Sequence, residues 1–288
     1  MFKKYIHIER LGKPEVEGIE VGVTYIFPKI DGTNASVWFD NGLKTGSRTK
    51  EITPENDNAG FAKFVQSSAK LNQFFKEFPD VYLYGEWLVP HSLKTYKDTA
   101  WKKFYIFDVM QNDKFIPYEF YKPMLEKYNL DYISPIAIIQ NGSEDQYVKL
   151  LQNNNFLIED GNGIGEGIVI KNYYFENKYK RTTWAKIVTS EFKEVLVSAP
   201  EMKGVLTIEE RITKHFLTET LIEKEYQKIK LDGWDKKKIP QLLNTVFYTL
   251  IQEEMWSILK KFGMEKIDFK RLQTFVFAKI RSVKKDLF

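Results

Sequence analysis

Short apolar runs with a strand-like period alternate with turn-forming clusters over the first two hundred positions. The runs are Val23–Lys29, Ala35–Phe39, Val81–Leu88, Phe104–Met110, Gly167–Asn172 and Trp184–Val188. Asp31-Gly32, Asp40-Asn41-Gly42 and Asp160-Gly161-Asn162-Gly163 punctuate them, and such pairs favour the tight turns that join neighbouring strands. Helical spacing intervenes twice. Phe61–Glu77 places Phe61, Phe64, Val65 and Leu71 on one face, and Tyr118–Tyr128 follows Pro117, a residue that suits the start of a helix. The pattern predicts an α+β fold with mostly antiparallel sheets.

The texture changes after Ser198-Ala199-Pro200. Ile208–Lys230, Ile239–Phe262 and Asp268–Lys284 are long amphipathic segments, broken at Asp232-Gly233 and Gly263. Each is apolar on one side and polar on the other, so they predict a small all-helical domain. The expected division is residues 1–200 and residues 201–288. No internal repeat is visible, and the Asn153-Asn154-Asn155 run reads as a loop.

Composition narrows the chemistry. The chain has 288 residues, no Cys and 3 His, which excludes disulfides, cysteine metal sites and a thiol nucleophile. His7, His91 and His215 are too scattered in sequence to suggest a histidine metal cluster. The start, MFKKYIHIERLGK, lacks the apolar core of a signal peptide, and no stretch has the ~20 apolar residues of a membrane span. A soluble, cytoplasmic protein with no membrane partner is expected. The formal net charge of +4 is unevenly spread. Residues 201–288 hold 18 Lys and Arg against 13 Asp and Glu, a net of +5, leaving residues 1–200 at −1.

The strand ends carry the candidate chemistry. Lys29-Ile30-Asp31-Gly32-Thr33-Asn34 sets a lysine at the end of a β-run just before a turn. Held near other cations and away from bulk water, such a lysine gives up its proton and becomes a nucleophile. In isolation K-x-D-G more often marks a surface lysine before a turn. Five later segments, in their order along the chain, change that balance: Ser47-Arg48, Tyr84-Gly85-Glu86-Trp87, Phe104-Tyr105-Ile106-Phe107-Asp108-Val109, Glu166-Gly167-Ile168-Val169-Ile170-Lys171 and Trp184-Ala185-Lys186-Ile187-Val188. Singly, these acids and lysines fit solvated strand ends, and Phe107 fits a core aromatic.

Together the series resembles the motifs of the covalent nucleotidyltransferases, the superfamily of ATP-dependent DNA ligases, RNA ligases and capping enzymes. The resemblance runs from Lys29 to Lys186. Lys-Ile-Asp-Gly-Thr-Asn and Phe-Tyr-Ile-Phe-Asp most resemble the phage type-2 RNA ligase branch, which implies a ligase-type nucleotidyltransferase domain followed by a short helical domain. A DNA ligase or capping enzyme would normally have a β-rich OB-fold there.

The resemblance also implies roles. Lys29 matches the lysine that attacks the α-phosphorus of ATP to give lysyl-AMP, and Phe107 the aromatic that stacks on adenine. Glu86 corresponds to an acid near the ribose, and Glu166 to one associated with Mg²⁺ or Mn²⁺, with both acids as expected metal contacts. Lys171 and Lys186 match basic positions around the α-phosphate, while Asp31, Asn34, Arg48 and Asp108 match polar positions in nucleotide binding or later steps. Two positions depart from the branch pattern. Trp184 occupies the first slot of its usual K-x-K, which implies either that another residue supplies the charge, with Lys180 and Arg181 as candidates, or a subgroup with a different last motif. Asp31 stands where histidine is common in the branch, although K-x-D-G is the commoner superfamily form.

The implied reaction joins a 5′-phosphate to a 3′-hydroxyl on a nucleic acid, RNA in preference, at a nicked duplex or broken ends, by a monomeric enzyme. The lysines of residues 201–288 would follow the phosphate backbone. The competing readings are a DNA ligase, a capping-type transferase and a catalytically silent nucleic-acid-binding relative.

Overall fold

The computed structural model describes residues 1–89, 96–161, 164–189, 206–231 and 233–288. The boundary expected at Ser198-Ala199-Pro200 lies outside these residues, as do His91, Asn162, Gly163 and Asp232. The chain divides into two compact units, Met1–Phe192 and Lys193–Phe288.

Two sheets build the first unit. One has five strands in the order β1 (Ile8–Arg10), β11 (Trp184–Val188), β10 (Gly167–Lys171), β2 (Val23–Lys29), β9 (Ala137–Gln140). The other has six, in the order β5 (Glu51–Ile52), β4 (Leu43–Ser47), β3 (Thr33–Phe39), β6 (Val81–Leu88), β7 (Lys103–Gln111), β8 (Lys114–Phe115). Every pairing of named strands is antiparallel except the parallel β1–β11 contact.

Strand alternation sends successive side chains to opposite faces, and three cores result. Tyr25, Phe27, Trp38, Tyr82, Tyr84, Tyr105 and Trp184 fill the space between the sheets. The other face of the six-stranded sheet packs Val37, Leu83 and Ile106 against α1 (Phe61–Ser67), α2 (Ala69–Glu77) and α3 (Tyr118–Lys127). Behind the five-stranded sheet, Ile26, Ile168 and Ile170 meet Tyr147 and Leu151 of α4 (Glu144–Leu151).

The single helix expected over Phe61–Glu77 is therefore two. Ser68 leaves helical geometry at ψ 104°, and its hydroxyl accepts the Leu71 N–H at 3.3 Å. A serine that satisfies an open helix start in this way competes with continuation of the preceding helix.

The described secondary structure of the second unit is all helical: α5 (Ile208–Phe216), α6 (Glu219–Leu231), α7 (Ile239–Phe262) and α8 (Phe269–Val283), with short turns between them. Ile212, Ile222, Leu242, Val246, Leu250, Leu272, Val276 and Ile280 form its core. The segment expected as one helix over Ile208–Lys230 breaks before Glu219, where the Thr218 hydroxyl accepts the Leu221 N–H at 3.0 Å. Among the described residues no helix is long and apolar enough to cross a membrane.

Candidate active site

Lys29 is the last residue of β2, and its register partner is Gly167 at the start of β10. A side chain at 167 is excluded, because a Cβ would fall 2.2 Å from the Ile187 carbonyl oxygen. The close approach of β11 thus fixes the strand start, and Glu166 is held with it: the Thr189 N–H donates to the Glu166 carbonyl at 2.8 Å. Asn154 braces the same segment from below. It is buried, donates from Nδ2 to the Gly167 carbonyl at 2.5 Å, and accepts at its own carbonyl from the Gly165 N–H at 2.8 Å. Lys29 Nζ consequently lies 2.5 Å from Glu166 Oε2, with the two side chains 21% and 16% exposed. This ion pair joins residues 137 positions apart.

The turn after Lys29 carries the chain from one sheet to the other. Glu86 Oε1 accepts the Gly32 N–H at 3.2 Å, and the strand holding Glu86 passes so near that a Cβ on Gly32 would meet the Trp87 carbonyl at 2.8 Å. Asn34 is the register partner of Glu86. The Asp31 N–H donates to the Tyr96 hydroxyl at 2.7 Å. Burial pushes the Tyr96 phenol well above its usual range; the Asp31 N–H opposes this, and the charges of Glu166, Asp31 and Glu86 add to the upward push. Tyr96 therefore remains a neutral hydroxyl among three carboxylates. It belongs to no periodic run, so sequence pattern gives no signal for it, and Asn154 lies in a run that reads as plain loop.

Phe107 and Asp108 owe their placement to an irregularity. In the β6–β7 pairing Tyr84 faces Asp108 and Gly85 faces Ile106, so Phe107 is the extra residue of a β-bulge. Bulges re-aim side chains at the cost of ladder bonds, and here Phe107 and Asp108 both serve the inter-sheet space. The Phe107 carbonyl accepts from Lys171 Nζ at 2.6 Å and from the Tyr121 hydroxyl at 3.2 Å. Lys171 also lies 2.8 Å from Asp108 Oδ1, with the pair 2% and 0% exposed, and 4.3 Å from the centroid of the Phe27 ring. The Tyr5 hydroxyl donates to the other Asp108 oxygen. Burial pushes the Asp108 carboxyl up and the Lys171 ammonium down, and the attraction between them opposes both shifts. The ammonium expected beside the α-phosphate is thus committed to the bulge in this structure.

Trp184 is fully buried against the Tyr173 and Phe115 rings, both with centroids 5.4 Å away. Two residues on, Lys186 shares the inter-sheet face of β11 with Trp184, and the parallel register sets Arg10 opposite it. Val188 is in register with Gly167 and hence with Lys29, whereas Lys180 and Arg181 lie in the turn at Asn177 before the opposite end of β11. Arg48 is exposed, with Nη2 3.2 Å from His7 Nδ1. A guanidinium can only donate, so this histidine nitrogen is the acceptor.

The arrangement sets a lysine nitrogen beside a carboxylate, with a second lysine on the same sheet face. Among the described residues no group of three or more acidic or histidine side chains forms a metal cage. Glu166 and Glu86 instead offer separate hard oxygens, which suits a Mg²⁺ or Mn²⁺ ion that keeps several waters and shares phosphate ligands.

A family model described as RNA ligase matches residues 24–188. No curated protein matches the chain. Among solved structures, a Naegleria gruberi RNA ligase with PPi matches at a TM-score of 0.52 and 16% identity, covering 67% of this chain and 58% of that one. A variant of the same enzyme with ATP and Mn matches at 0.53 and 15% over the same shares, and another with AMP and Mn at 0.53 and 13%. The chain spans 58% of the Naegleria protein, and the likeness is one of fold. The matched span contains Lys29, Glu166 and Lys186 and covers more than half of the chain; the chain belongs to the RNA ligase family.

Proposed function

We propose that this protein is an ATP-dependent RNA ligase. The observation that carries the reading is the Lys29–Glu166 pair at 2.5 Å, set in a family-matched unit with Lys186 on the same sheet face. The amine of Lys29 attacks the α-phosphorus of ATP. The lysine attacks as the neutral amine, its proton having passed to solvent. An N–P bond forms, the bond to the β-phosphate oxygen breaks, pyrophosphate leaves, and the second proton on nitrogen is lost to solvent. Lys186 stands to offset the negative charge that builds on the α-phosphate. Phe107 offers a flat apolar face to the base, while Glu86, Asp31, Asn34 and Arg48 supply polar contacts to the nucleotide or the strand end. A divalent cation held at Glu166 and Glu86 would neutralise phosphate charge.

AMP then passes to the 5′-phosphate of an RNA strand, and a 3′-hydroxyl attacks that activated end to form the phosphodiester and release AMP. In this reading residues 1–200 carry the chemistry and residues 201–288 engage the nucleic acid.

Labelling with α-phosphate-labelled ATP and Mg²⁺, followed by denaturing electrophoresis, tests the first step. The wild type acquires label and Lys29→Ala does not; equal labelling of the variant refutes the nucleophile. Preference for GTP would point to a capping-type transferase. Sealing of 3′-OH DNA in preference to 3′-OH RNA would point to a DNA ligase.

A further inference from the structure

The solvent-facing row of α7 is unusual for a helix of 24 residues. At four-residue spacing it reads Asn244, Tyr248, Gln252, Trp256 and Lys260, all exposed, with Tyr248 at 63% and Trp256 at 41%. Residues four apart lie along one ridge of a helix. A ridge that only meets water is ordinarily built of mixed charges. Here two large aromatics and two amides replace them, and the helix's two acids, Glu253 and Glu254, lie off the row. Lysines bracket it: Lys236–Lys238 form the turn that leads into the helix, and Lys260-Lys261 lie in its last turn.

We propose that this ridge is a docking track for single-stranded RNA. The inference rests on the ligase reading and names the surface that would hold one substrate strand. Each residue type suits a part of that ligand. Exposed indole and phenol faces stack on bases whatever their identity, the Asn244 and Gln252 amides both donate and accept along base edges, and the terminal lysines meet phosphates. Cations at both ends with no acid on the ridge favour a polyanion over an apolar protein surface. From Asn244 to Lys260 the ridge runs about 24 Å at the helical rise, room for a few nucleotides. Duplex RNA keeps its base faces stacked internally and hides them from such a ridge.

The test uses the full chain and a labelled oligoribonucleotide of mixed sequence without a 5′-phosphate, monitored by anisotropy. Tyr248→Ala/Trp256→Ala is expected to bind at least about tenfold more weakly, because stacking on an aromatic carries a large share of single-strand affinity. Trp256→Phe keeps most binding, since the face is retained. Lys260→Ala weakens binding modestly and lowers the salt slope by about one. A blunt duplex of the same length competes poorly. Unchanged binding by the double variant, with its melting curve intact, overturns the proposal, as does equal competition by duplex. So does a concentration-dependent mass increase of the wild type that the double variant abolishes, which would make the ridge a contact between copies of this chain. Lysine adenylylation is measured in the same preparations and stays at the wild-type level in the double variant. Absence of the adduct from the wild type would defeat the ligase reading, while the anisotropy still decides the track.

Discussion

Tyr96 holds the Asp31 N–H at 2.7 Å in the turn just beyond the candidate nucleophile. Replacing its hydroxyl by hydrogen removes one half-buried hydrogen bond, at most roughly 1 kcal/mol, while the ring continues to fill its place. Tyr96→Phe should therefore slow single-turnover lysine adenylylation several-fold with little change in melting temperature; an unchanged rate would reduce Tyr96 to a space-filler. The residue is a measure of what the sequence conceals. Lys29, Glu86 and Glu166 are legible because each lies in or beside a recognisable strand, Lys29 at the end of β2, Glu86 inside β6 and Glu166 just before β10. The structure adds that Glu86 accepts the Gly32 N–H and Glu166 pairs with Lys29. Tyr96 and Asn154 come from irregular chain, where no periodicity announces that a side chain is buried beneath a site.

At the level of the element, the β6–β7 bulge explains why Phe107 and Asp108, neighbours in sequence, both serve the inter-sheet space. A strand with unbroken alternation would send one of them to the helix-covered face. The same buried cluster gives the Trp184 substitution a cause. The indole fills apolar space between aromatic rings and beside an ion pair that already holds one ammonium for one carboxylate. Trp184→Lys, which restores the branch's K-x-K spelling, would open a cavity and bury a second cation, a loss of several kcal/mol. We expect a clearly lower urea midpoint and no gain in adenylylation; a variant as stable as the wild type would contradict this account.

In the helical unit, Glu209 joins the starts of two helices. Burial pushes its carboxyl up, but the Asp268 N–H, its own backbone N–H, the Thr207 hydroxyl and Arg271 together hold it below the ordinary value of 4.5. A depressed carboxyl stabilises the fold above its ordinary titration range, and that contribution disappears as pH falls through the lower folded value. Thermal melts of the wild type should therefore drop below about pH 4.5. Glu209→Gln should be less stable at neutral pH and show a shallower acid loss. Parallel curves for the two proteins would show that Glu209 is not the source.

For the whole molecule, each unit has its own core. One set of clusters is drawn from residues before 190 and another from Ile208 onward. Calorimetry should resolve two unfolding transitions rather than one, since separate cores lack a shared cooperative unit. On the proposed reading, a chain ended between residues 193 and 205 should retain the first unit's transition and form the Lys29 adduct, while sealing poorly. A single transition, or loss of the adduct, would tie the units together. The α+β character and the helical second unit are readable from the change of period near residue 200. Strand order is not, because pairing partners such as Ile8–Arg10 and Trp184–Val188 are distant in sequence and the three-residue β1 is too short to carry a pattern.

That last pairing bears on how the protein is made. Synthesis delivers Lys29 early, yet its carboxylate partner emerges 137 residues later, and the last strand of that sheet in chain order ends only at Val188. Such distant contacts cannot form until the intervening chain exists, so assembly is late and slow in comparison with the local helices. A nascent or prematurely terminated chain thus displays the lysine without the surroundings that would make it reactive. Until translation has passed Val188, the chain lacks the strand pairings that set Lys29 beside Glu166.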